Sequence, residues 1–275
     1  MAAKTLSQLG LSSRNGHDPE ITEITVDSRQ VKPGTLFAAL PGSRVHGAEF
    51  IQYALRQDAS AILTDNTGAE FAADVLKASD IALVIVDDPR QALAYAAALF
   101  YGQQPRKIIA VTGTNGKTSV ASFCRQMWMD LGRKAVNLGT TGIEGAWSFP
   151  LAHTTPEPIT LHNALAQADA SGVTHVAMEA SSHGLAQRRL DGVKLSAAGF
   201  TNFTQDHLDY HETFEDYFKA KEGLFSRLLP PGKTAVFNID DPKVGQYARD
   251  FSARHAPVIT VGKAKEAVQL NPISY

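Results

Sequence analysis

The sequence has little of three things: cysteine, long apolar runs and an excess of one charge. A single cysteine in 275 residues excludes a disulfide framework within the chain. No apolar run approaches the roughly 18 residues that a membrane span needs, and residues 1–10 do not form a signal peptide. A formal net charge of −2 gives no reason to expect nucleic acid or an anionic membrane as a partner. We therefore expect a globular protein of the cytoplasm.

The stretch from Lys107 to Thr118 predicts a phosphate-binding loop. Apolar, mostly β-branched residues at 108–111 indicate a buried strand, and a turn rich in glycine follows at 112–116. The turn leads into a lysine and a threonine at the predicted start of a helix, an arrangement that binds anions through backbone N–H groups. We expect Lys117 to contact the β- and γ-phosphates of a nucleotide and the Thr118 hydroxyl to bind Mg²⁺.

The loop is a short variant, because the common pattern has a further glycine where this chain has Val111. The helix after it carries apolar residues at helical spacing, namely Val120, Ala121, Phe123, Cys124, Met127, Trp128 and Leu131. Cys124 lies on this apolar face, and we expect it to be a core residue rather than a reactive one. A plain turn between a strand and a helix is the alternative interpretation of the loop, and it leaves the Lys-Thr pair unexplained.

Residues 1–88 predict a small α/β domain. The predicted strands lie at 21–27, 35–40, 61–64 and 82–86, with a helix at 48–57. Asp27, Ser28 and Arg29 follow the end of the first strand. A structural turn and a binding site explain this triplet equally well.

Residues 89–275 alternate strands and helices. The predicted strands lie at 108–111, 135–138, 173–178, 196–200, 234–239 and 258–261, and the helices at 91–101, 118–131, 160–171, 214–228 and 243–254. Strands separated by helices pair in parallel, so we expect an α/β fold with a doubly wound, mostly parallel sheet. Ligands of such sheets collect beyond the carboxyl ends of the strands.

Polar side chains follow two of these strands. Glu179 comes at the end of an apolar strand, where an unpaired carboxylate would be costly, so it is a candidate Mg²⁺ ligand, with a structural ion pair as the alternative. The segment from Asp206 to His211 holds two carboxylates and two imidazoles. It suggests metal or phosphate binding, although a capped helix start would use some of the same residues.

One lysine lies on an apolar stripe. The stripe of the predicted helix at 214–228 consists of Phe214, Tyr217, Phe218, Leu224, Phe225 and Leu228. Lys221 falls among them, and a lysine in such a position usually extends its amine to solvent. If the amine is instead desolvated, its pKa falls and the neutral form can add CO2. The carbamate would be an oxygen ligand for a second Mg²⁺.

Longer motifs resemble the ATP-dependent Mur ligases of peptidoglycan synthesis. They are TGTNGKT at 112–118, HTTPEP at 153–158, MEASSHGLAQRRL at 178–190, FTNFTQDHLDYH at 200–211, YFKAKEGLF at 217–225 and NIDD at 238–241. Among these ligases the chain is similar to the type that adds the third stem-peptide residue, diaminopimelate or lysine, to UDP-N-acetylmuramoyl-L-alanyl-D-glutamate. That reaction passes through an acyl phosphate. The resemblance implies ATP, two Mg²⁺ ions, a uridine-nucleotide domain at 1–88 and an ATP-binding domain at 89–275.

The resemblance also implies roles for single residues. Lys117, His207 and Lys221 match catalytic positions, with Lys221 carbamylated; Thr118 and Glu179 match ligands of the first metal, and His207 and Lys221 match those of the second. ATP-binding positions match Gly113, Thr114, Asn115, Gly116, Lys117, Thr118, Ser119, Asn238 and Asp241. Uridine-binding positions match Val26, Ser28, Ser43, Arg44 and Val45. Positions that hold the muramoyl-dipeptide match His153, Thr154, Thr155, Ser181, Gln187 and Arg189.

Members of that family carry a third, C-terminal domain that binds the incoming amino acid, and nothing in these residues corresponds to it. We therefore expect a truncated chain or a fragment that binds ligands without forming an amide bond. A ligase like folylpolyglutamate synthetase is one alternative, since it shares the phosphate loop and the lysine. Asp27-Ser28-Arg29 and the HTTPEP segment argue against it. A non-catalytic nucleotide-binding module is the other alternative.

Overall fold

The computed structural model describes residues 2–42, 44–151, 153–205, 210–255, 257–263 and 268. The chain forms two compact units, one of Met1–Gly102 with Pro158–Asn163 and one of Gln103–Glu157 with Ala164–Tyr275. The domain boundary near residue 88 stays a prediction. Within the described ranges, no helix has both the length and the apolar character to cross a membrane.

The first unit contains short strands and helices. Its strands are β1 (Lys4–Thr5), β2 (Glu20–Ile21), β3 (Glu23–Thr25), β4 (Thr35–Ala38), β5 (Ala61–Thr64) and β6 (Ala82–Ile85). Its helices are α1 (Ile51–Arg56), α2 (Asn66–Phe71), α3 (Ala73–Lys77) and α4 (Pro89–Tyr101), and 3-10 turns lie at Ser7–Leu9, Ser28–Gln30 and Gly47–Phe50. The sequence predicted β4, β5, β6 and α4 at nearly these bounds. It missed α2 and α3.

Strands β3 to β6 form a parallel sheet in that order, and side chains pack against both of its faces. Leu36 packs on one face in a cluster with Leu93 of α4. Its neighbour Phe37 packs on the other face in a cluster with Ile51 of α1. Successive strand residues point to opposite faces, so the apolar run of β4 needs cover on both sides.

The second unit is built around a larger sheet. Its strands are β7 (Lys107–Thr112), β8 (Ala135–Gly139), β9 (Gly142–Gly145), β10 (His175–Glu179), β11 (Leu195–Phe200), β12 (Thr234–Asn238) and β13 (Val258–Val261). Its helices are α5 (Lys117–Asp130), α7 (Ser182–Ala186), α8 (Phe214–Gly223) and α9 (Pro242–Ser252), with a π turn at Leu224–Leu228 after α8. Helix α6 (Pro158–Ala170) is divided between the residues of the two units.

In the part of the chain that the structure describes, these seven strands have the order β13-β12-β11-β7-β10-β8-β9. All neighbours pair in parallel except β8 and β9, which pair antiparallel. The predicted doubly wound, mostly parallel sheet is therefore confirmed. The register sets Glu179 opposite Val111 and Phe200 opposite Thr112, so the carboxyl ends of three strands meet at the phosphate loop.

Most of the apolar stripe of α8 is buried, although Phe214 at its start is 39% exposed, and the prediction that Lys221 lies on this stripe is confirmed. Thr213 caps the helix by accepting a hydrogen bond from the N–H of Asp216. Tyr217, Phe218 and Lys221 are all buried. The ring of Phe218 lies 5.8 Å from that of Phe200 on β11, centroid to centroid, so the stripe packs directly on the sheet.

The apolar residues of α5 have a different environment. Ala121 is buried, but Phe123, Met127 and Leu131 are 59%, 57% and 73% exposed. Helix α5 packs on the sheet with the side that carries Ala121. Cys124 is only half-buried, so the expectation that it is a core residue is wrong in part. Burial nevertheless raises the pKa of the Cys124 thiol, which keeps it protonated and unreactive at neutral pH.

Candidate active site

Glycine is required at two positions of the phosphate loop. Gly113 and Gly116 have φ values of +143° and +83°, which side chains rarely tolerate. A Cβ atom on Gly113 would lie 1.9 Å from Oγ1 of Thr201, so the loop approaches the segment after β11 more closely than any other residue allows. The N–H of Thr114 donates to the carbonyl oxygen of Asn202 at 2.9 Å. The loop is thus held in shape by the neighbouring strand end.

Lys117 lies at the start of α5 with its amine over the loop. Its Nζ donates to the carbonyl oxygens of Gly113 at 3.0 Å and of Thr114 at 2.8 Å. The N-terminus of a helix adds a partial positive charge at the same place. Backbone N–H groups and an ammonium around a glycine turn suit a phosphate group.

Glu179, at the end of β10, is 2% exposed and fully hydrogen-bonded. Its Oε2 accepts from Oγ1 of Thr118 at 2.9 Å, and its Oε1 accepts from the N–H of Thr140 at 3.1 Å. A Cβ atom on Gly139 would lie 1.8 Å from that Oε1, so a glycine at this position leaves the room that the carboxylate occupies. The predicted pair of metal ligands, Thr118 and Glu179, is therefore adjacent.

The oxygen atoms of Thr118 and Glu179 fit a hard cation such as Mg²⁺. Within the described ranges, no cluster of three or more His, Cys, Asp or Glu side chains could hold a metal. An ion at this pair would complete its coordination with phosphate and water oxygens, as Mg²⁺ commonly does. His207, with Asp206 and Asp209, lies outside the described residues.

The amine of Lys221 is buried. Lys221 is 0% exposed, and its Nζ donates to the carbonyl oxygen of Gly113 at 2.8 Å. The same nitrogen lies 4.5 Å from the ring centroid of Tyr217, whose hydroxyl is 3.2 Å from Oγ1 of Thr114. Two amines, those of Lys117 and Lys221, therefore converge on one carbonyl of the loop.

Hydroxyl groups extend the site from Glu179 towards α7. Oγ1 of Thr155 donates to the carbonyl oxygen of Glu179 at 3.0 Å and accepts from the N–H of Ser181 at 3.1 Å. Oγ1 of Thr154 lies 3.1 Å from Oγ1 of Thr140. The HTTPEP segment, which is distant in sequence, is thereby fixed beside the metal-ligand pair.

The guanidinium of Arg189 is held from two sides. Its Nη1 donates to the carbonyl oxygen of Thr155 at 2.7 Å, while Nε and Nη2 donate to Oε1 of Gln187 at 3.1 and 2.7 Å. Between Gln187 and Arg189 the chain turns at Arg188, a non-glycine residue with φ of +61°. Such a conformation is uncommon and tends to occur at functional sites. No motif in the sequence signals it.

Most of these side chains line a single space of about 560 Å³. Its lining comprises Thr114, Asn115, Gly116, Lys117, Thr118, Thr140, His153, Thr154, Thr155, Glu179, Ser181, Ser182, His183, Arg189 and Lys221. We call it the polar cavity. Its volume is in the range of small-ligand sites, and it unites residues of the four predicted motifs that begin at 112, 153, 178 and 217.

A second space of about 540 Å³ is lined mainly by apolar residues and is here called the apolar cavity. Its lining comprises Val111, Gly116, Ser119, Val120, Gly199, Phe200, Thr201, Asn202, Val236, Asn238, Asp240, Val261, Gly262 and Lys263. Gly116, Ser119 and Asn238 were predicted to bind ATP, and Asp240 lies within the segment at 238–241 that the resemblance places beside the base and ribose. Asp241 instead caps α9, since its carboxylate accepts from the N–H groups of Lys243 and Val244.

The uridine-site candidates lie in the first unit. Val26 and Val45 are 43% and 47% exposed, and Ser28 and Arg44 also belong to this unit. Ser43 lies outside the described residues. The neighbouring Asp27 accepts from the guanidinium and the N–H of Arg29, which lowers the pKa of Asp27 to about 2. A structural turn therefore accounts for the aspartate and the arginine of the triplet, and binding by Ser28 stays a prediction.

Two family profiles match the chain. The profile described as Mur ligase middle domain matches residues 111–275, and the one described as Mur ligase family, catalytic domain, matches residues 20–101.

Curated relatives and solved structures are also similar. UDP-N-acetylmuramoyl-L-alanyl-D-glutamate--2,6-diaminopimelate ligase of Mesorhizobium japonicum is 45% identical over 94% of this chain and 52% of its own. The enzyme of that name from Agrobacterium fabrum is 50% identical over 93% of this chain and 51% of its own. A solved structure of a ligase of that name superposes with a TM-score of 0.78 at 26% identity, covering 96% of this chain and 53% of that one. The chain thus spans about half the length of these relatives.

One further solved structure shows the fold alone. MurF from Acinetobacter baumannii superposes with a TM-score of 0.61 at 20% identity, over 94% of this chain and 53% of that one. An α/β arrangement like that of the second unit therefore recurs among proteins with little sequence in common.

Proposed function

The chain belongs to the Mur ligase family, and from that premise we propose that it binds ATP and UDP-N-acetylmuramoyl-L-alanyl-D-glutamate as part of an amide-forming ligase. The relatives are named diaminopimelate ligases, which favours diaminopimelate over lysine as the amino acid that is added. The chain spans about half of the relatives' length, so the complete ligase reaction is proposed for the ligase to which this chain contributes. The cytoplasm, where ATP is available, is the proposed compartment.

The polar cavity is the observation that carries this proposal. It gathers a phosphate loop, the Thr118–Glu179 pair and the guanidinium of Arg189 around one space. A triphosphate and a carboxylate repel each other in water, so an enzyme that joins them needs cations at both. Lys117 and Arg189 are suited to these two tasks.

The nucleotide would extend over Gly116, which lines both the polar and the apolar cavity. Phosphates at the start of α5 would leave the base in the apolar cavity, near Ser119 and Asn238. A planar aromatic base suits an apolar lining with a few polar groups at its edge. The position of Asn238 supports its proposed role, whereas the capping role of Asp241 leaves its carboxylate already engaged.

Thr118 and Glu179 would hold the first Mg²⁺. When bound, the ion offsets negative charge on the group being transferred. Lys221 would contribute to a second ion as its carbamate, together with His207. The burial of its amine supports that modification, because only the neutral amine adds CO2.

The chain's own residues then have distinct tasks. Arg189 would orient the D-glutamate carboxylate for attack on the γ-phosphate of ATP, and Lys117 would offset the charge that develops on the phosphoryl oxygens. The attack gives ADP and an acyl phosphate. The amine of the incoming amino acid then displaces phosphate and forms the amide.

Calorimetric titration of the 275-residue chain tests the proposal. We expect binding of UDP-N-acetylmuramoyl-L-alanyl-D-glutamate and of ATP with Mg²⁺, no binding of a folate, and no phosphate release with diaminopimelate or lysine present. Lys117→Met should weaken the binding of ATP at least about tenfold, which is the value of one lost charged contact, and leave the affinity for the uridine ligand unchanged. Binding of a folate without binding of the uridine ligand would contradict the proposal.

A further inference from the structure

Tyr210 is linked by a hydrogen bond to the residues that hold the guanidinium of Arg189. Nε2 of Gln187 donates to the hydroxyl oxygen of Tyr210 at 2.9 Å. The other end of the same amide, Oε1, accepts from Nε and Nη2 of Arg189. The contacts therefore run from Tyr210 through Gln187 to Arg189.

The direction of this chain of contacts follows from donor chemistry. An arginine has donors and no acceptor, so Gln187 has to present its oxygen to Arg189. Its NH2 group then faces the opposite way and requires an acceptor, which the hydroxyl oxygen of Tyr210 supplies. Arg189 thus sets the orientation of the Gln187 amide, and the tyrosine hydroxyl holds the NH2 end of the amide in that orientation.

The ring of Tyr210 is seated independently of its hydroxyl. Its centroid lies 3.9 Å from that of His183, which lines the polar cavity, and 4.9 Å from that of the buried His211. The residue is 41% exposed. Loss of the hydroxyl alone should therefore leave the ring in place and the fold unchanged.

We propose that Tyr210 is a positioning residue, which fixes the Gln187 amide and thereby aims the guanidinium of Arg189 at a carboxylate-bearing ligand in the polar cavity. Arg189 is otherwise fixed on the side of its Nη1 by the carbonyl oxygen of Thr155. With both sides held, the guanidinium has little rotational freedom left to lose when it binds a carboxylate. This inference rests on the proposed function, since the ligand is the acidic dipeptide.

A spectroscopic experiment without ligand tests the link itself. The side-chain amide signal of Gln187 in a ¹⁵N–¹H spectrum of the labelled chain is assigned by its loss in Gln187→Leu. We expect Tyr210→Phe to shift or broaden that signal, because its NH2 group loses an acceptor. Tyr95→Phe, which removes the hydroxyl of a tyrosine of the first unit that is 45% exposed, is the matched control and should leave it unchanged. An unchanged signal in Tyr210→Phe overturns the proposal.

Binding experiments test the consequence. For the wild-type chain we expect tighter binding of UDP-N-acetylmuramoyl-L-alanyl-D-glutamate than of UDP. Tyr210→Phe should weaken the binding of the dipeptide ligand about threefold to tenfold, which is the value of one hydrogen bond, and leave the affinity for UDP unchanged. In the Gln187→Leu background the same substitution should cost nothing further, because the contact that it removes is already absent.

Each remaining outcome decides between the two claims. If the wild type binds the dipeptide ligand no more tightly than UDP, the proposed function fails and the positioning role fails with it. If the wild type binds the dipeptide ligand more tightly than UDP, and Tyr210→Phe binds it equally tightly, only the positioning role is overturned. An equal loss for both ligands, or an additive loss in the Gln187→Leu background, would assign Tyr210 a merely structural role.

Discussion

Helices α8 and α5 carry the same kind of apolar pattern and lie in opposite environments. In α8 the stripe is buried from Tyr217 onward, and Lys221, which lies on it, is 0% exposed. In α5 the pattern contains only apolar residues, yet Phe123 is 59% exposed and Leu131 is 73% exposed. The charged side chain of Lys221 is thus buried, and the aromatic side chain of Phe123 is exposed.

The difference shows what helical periodicity does and does not determine. It determines which residues share a face, because side chains three and four positions apart are neighbours. It does not determine what covers that face. The stripe of α8 meets aromatic residues of β11 and its exit loop, such as Phe200 and Phe203. Helix α5 contacts the sheet through the buried Ala121 and through Trp128, whose ring lies 5.0 Å from that of His175 on β10, and these contacts leave Phe123 exposed.

Matched substitutions on the two helices test whether their apolar residues differ in burial. Phe218→Ala should lower the free energy of unfolding by about 3–5 kcal/mol, since it removes a buried ring that contacts three other aromatic rings. Phe123→Ala should change it by less than about 0.5 kcal/mol, because the ring is exposed. Urea unfolding measures both values.

A loss for Phe123→Ala as large as that for Phe218→Ala would mean that the exposed face of α5 is covered in solution. In that case the loss should depend on protein concentration if a second copy provides the cover. Equal unfolding midpoints over a hundredfold range of concentration would exclude that source.

Replacing the buried lysine tests what its charged group contributes to α8. We expect Lys221→Met to change the free energy of unfolding by less than about 1.5 kcal/mol, because apolar side chains of similar volume replace buried charged ones at little cost. If Lys221 becomes carbamylated, a ¹³C signal from labelled bicarbonate should appear in the wild type and vanish in this variant. Lys219→Met, on the exposed side of the same helix, should retain the signal.

A loss of several kcal/mol for Lys221→Met would instead show that the bond to the carbonyl of Gly113 stabilises the fold. A carbamate signal that persists in Lys221→Met would place the modification elsewhere. Either result removes the reason to treat the buried lysine as functional.

The sequence predicted well those elements in which local signals agree. The strand β7, the loop to Gly116 and helix α5 each carry their own pattern, and the structure places them at nearly the expected residues. The strand end at Glu179 was equally predictable, since a carboxylate after an apolar strand needs partners. The α8 pattern placed Lys221 on a buried face, although it left open whether the amine reached water.

Other features depend on contacts between distant segments and had no local signal. The strand β9 and the short helix α7 are too brief for a periodic pattern to develop, although the strand β8 that pairs with β9 was predicted. The left-handed conformation of Arg188 is imposed by its surroundings, since arginine has no preference for it. Asp240 and Asp241 were indistinguishable in sequence, and only α9 shows which of them is the cap.

The smallest expected effect concerns Glu222, on α8 itself. Burial and then repulsion from Glu215 raise the pKa of Glu222 above its ordinary value, while Lys243 and Lys219 oppose the shift. A carboxyl with a raised pKa in the folded state binds its proton more tightly there than in the unfolded chain. Stability is therefore lost as the pH rises from the unfolded value towards the folded one, and the deficit persists at neutral pH.

Glu222→Gln removes this deficit, so it should stabilise the chain more at pH 7 than at pH 4. Since the side chain is only partly buried, solvent screens the interaction, and we expect a gain of only a few tenths of a kcal/mol, roughly the value of a surface ion pair. Urea unfolding of wild type and variant at the two pH values measures the difference. An equal effect at both would mean that the outer side of α8 is fully solvated, in contrast to the sealed stripe on its inner side.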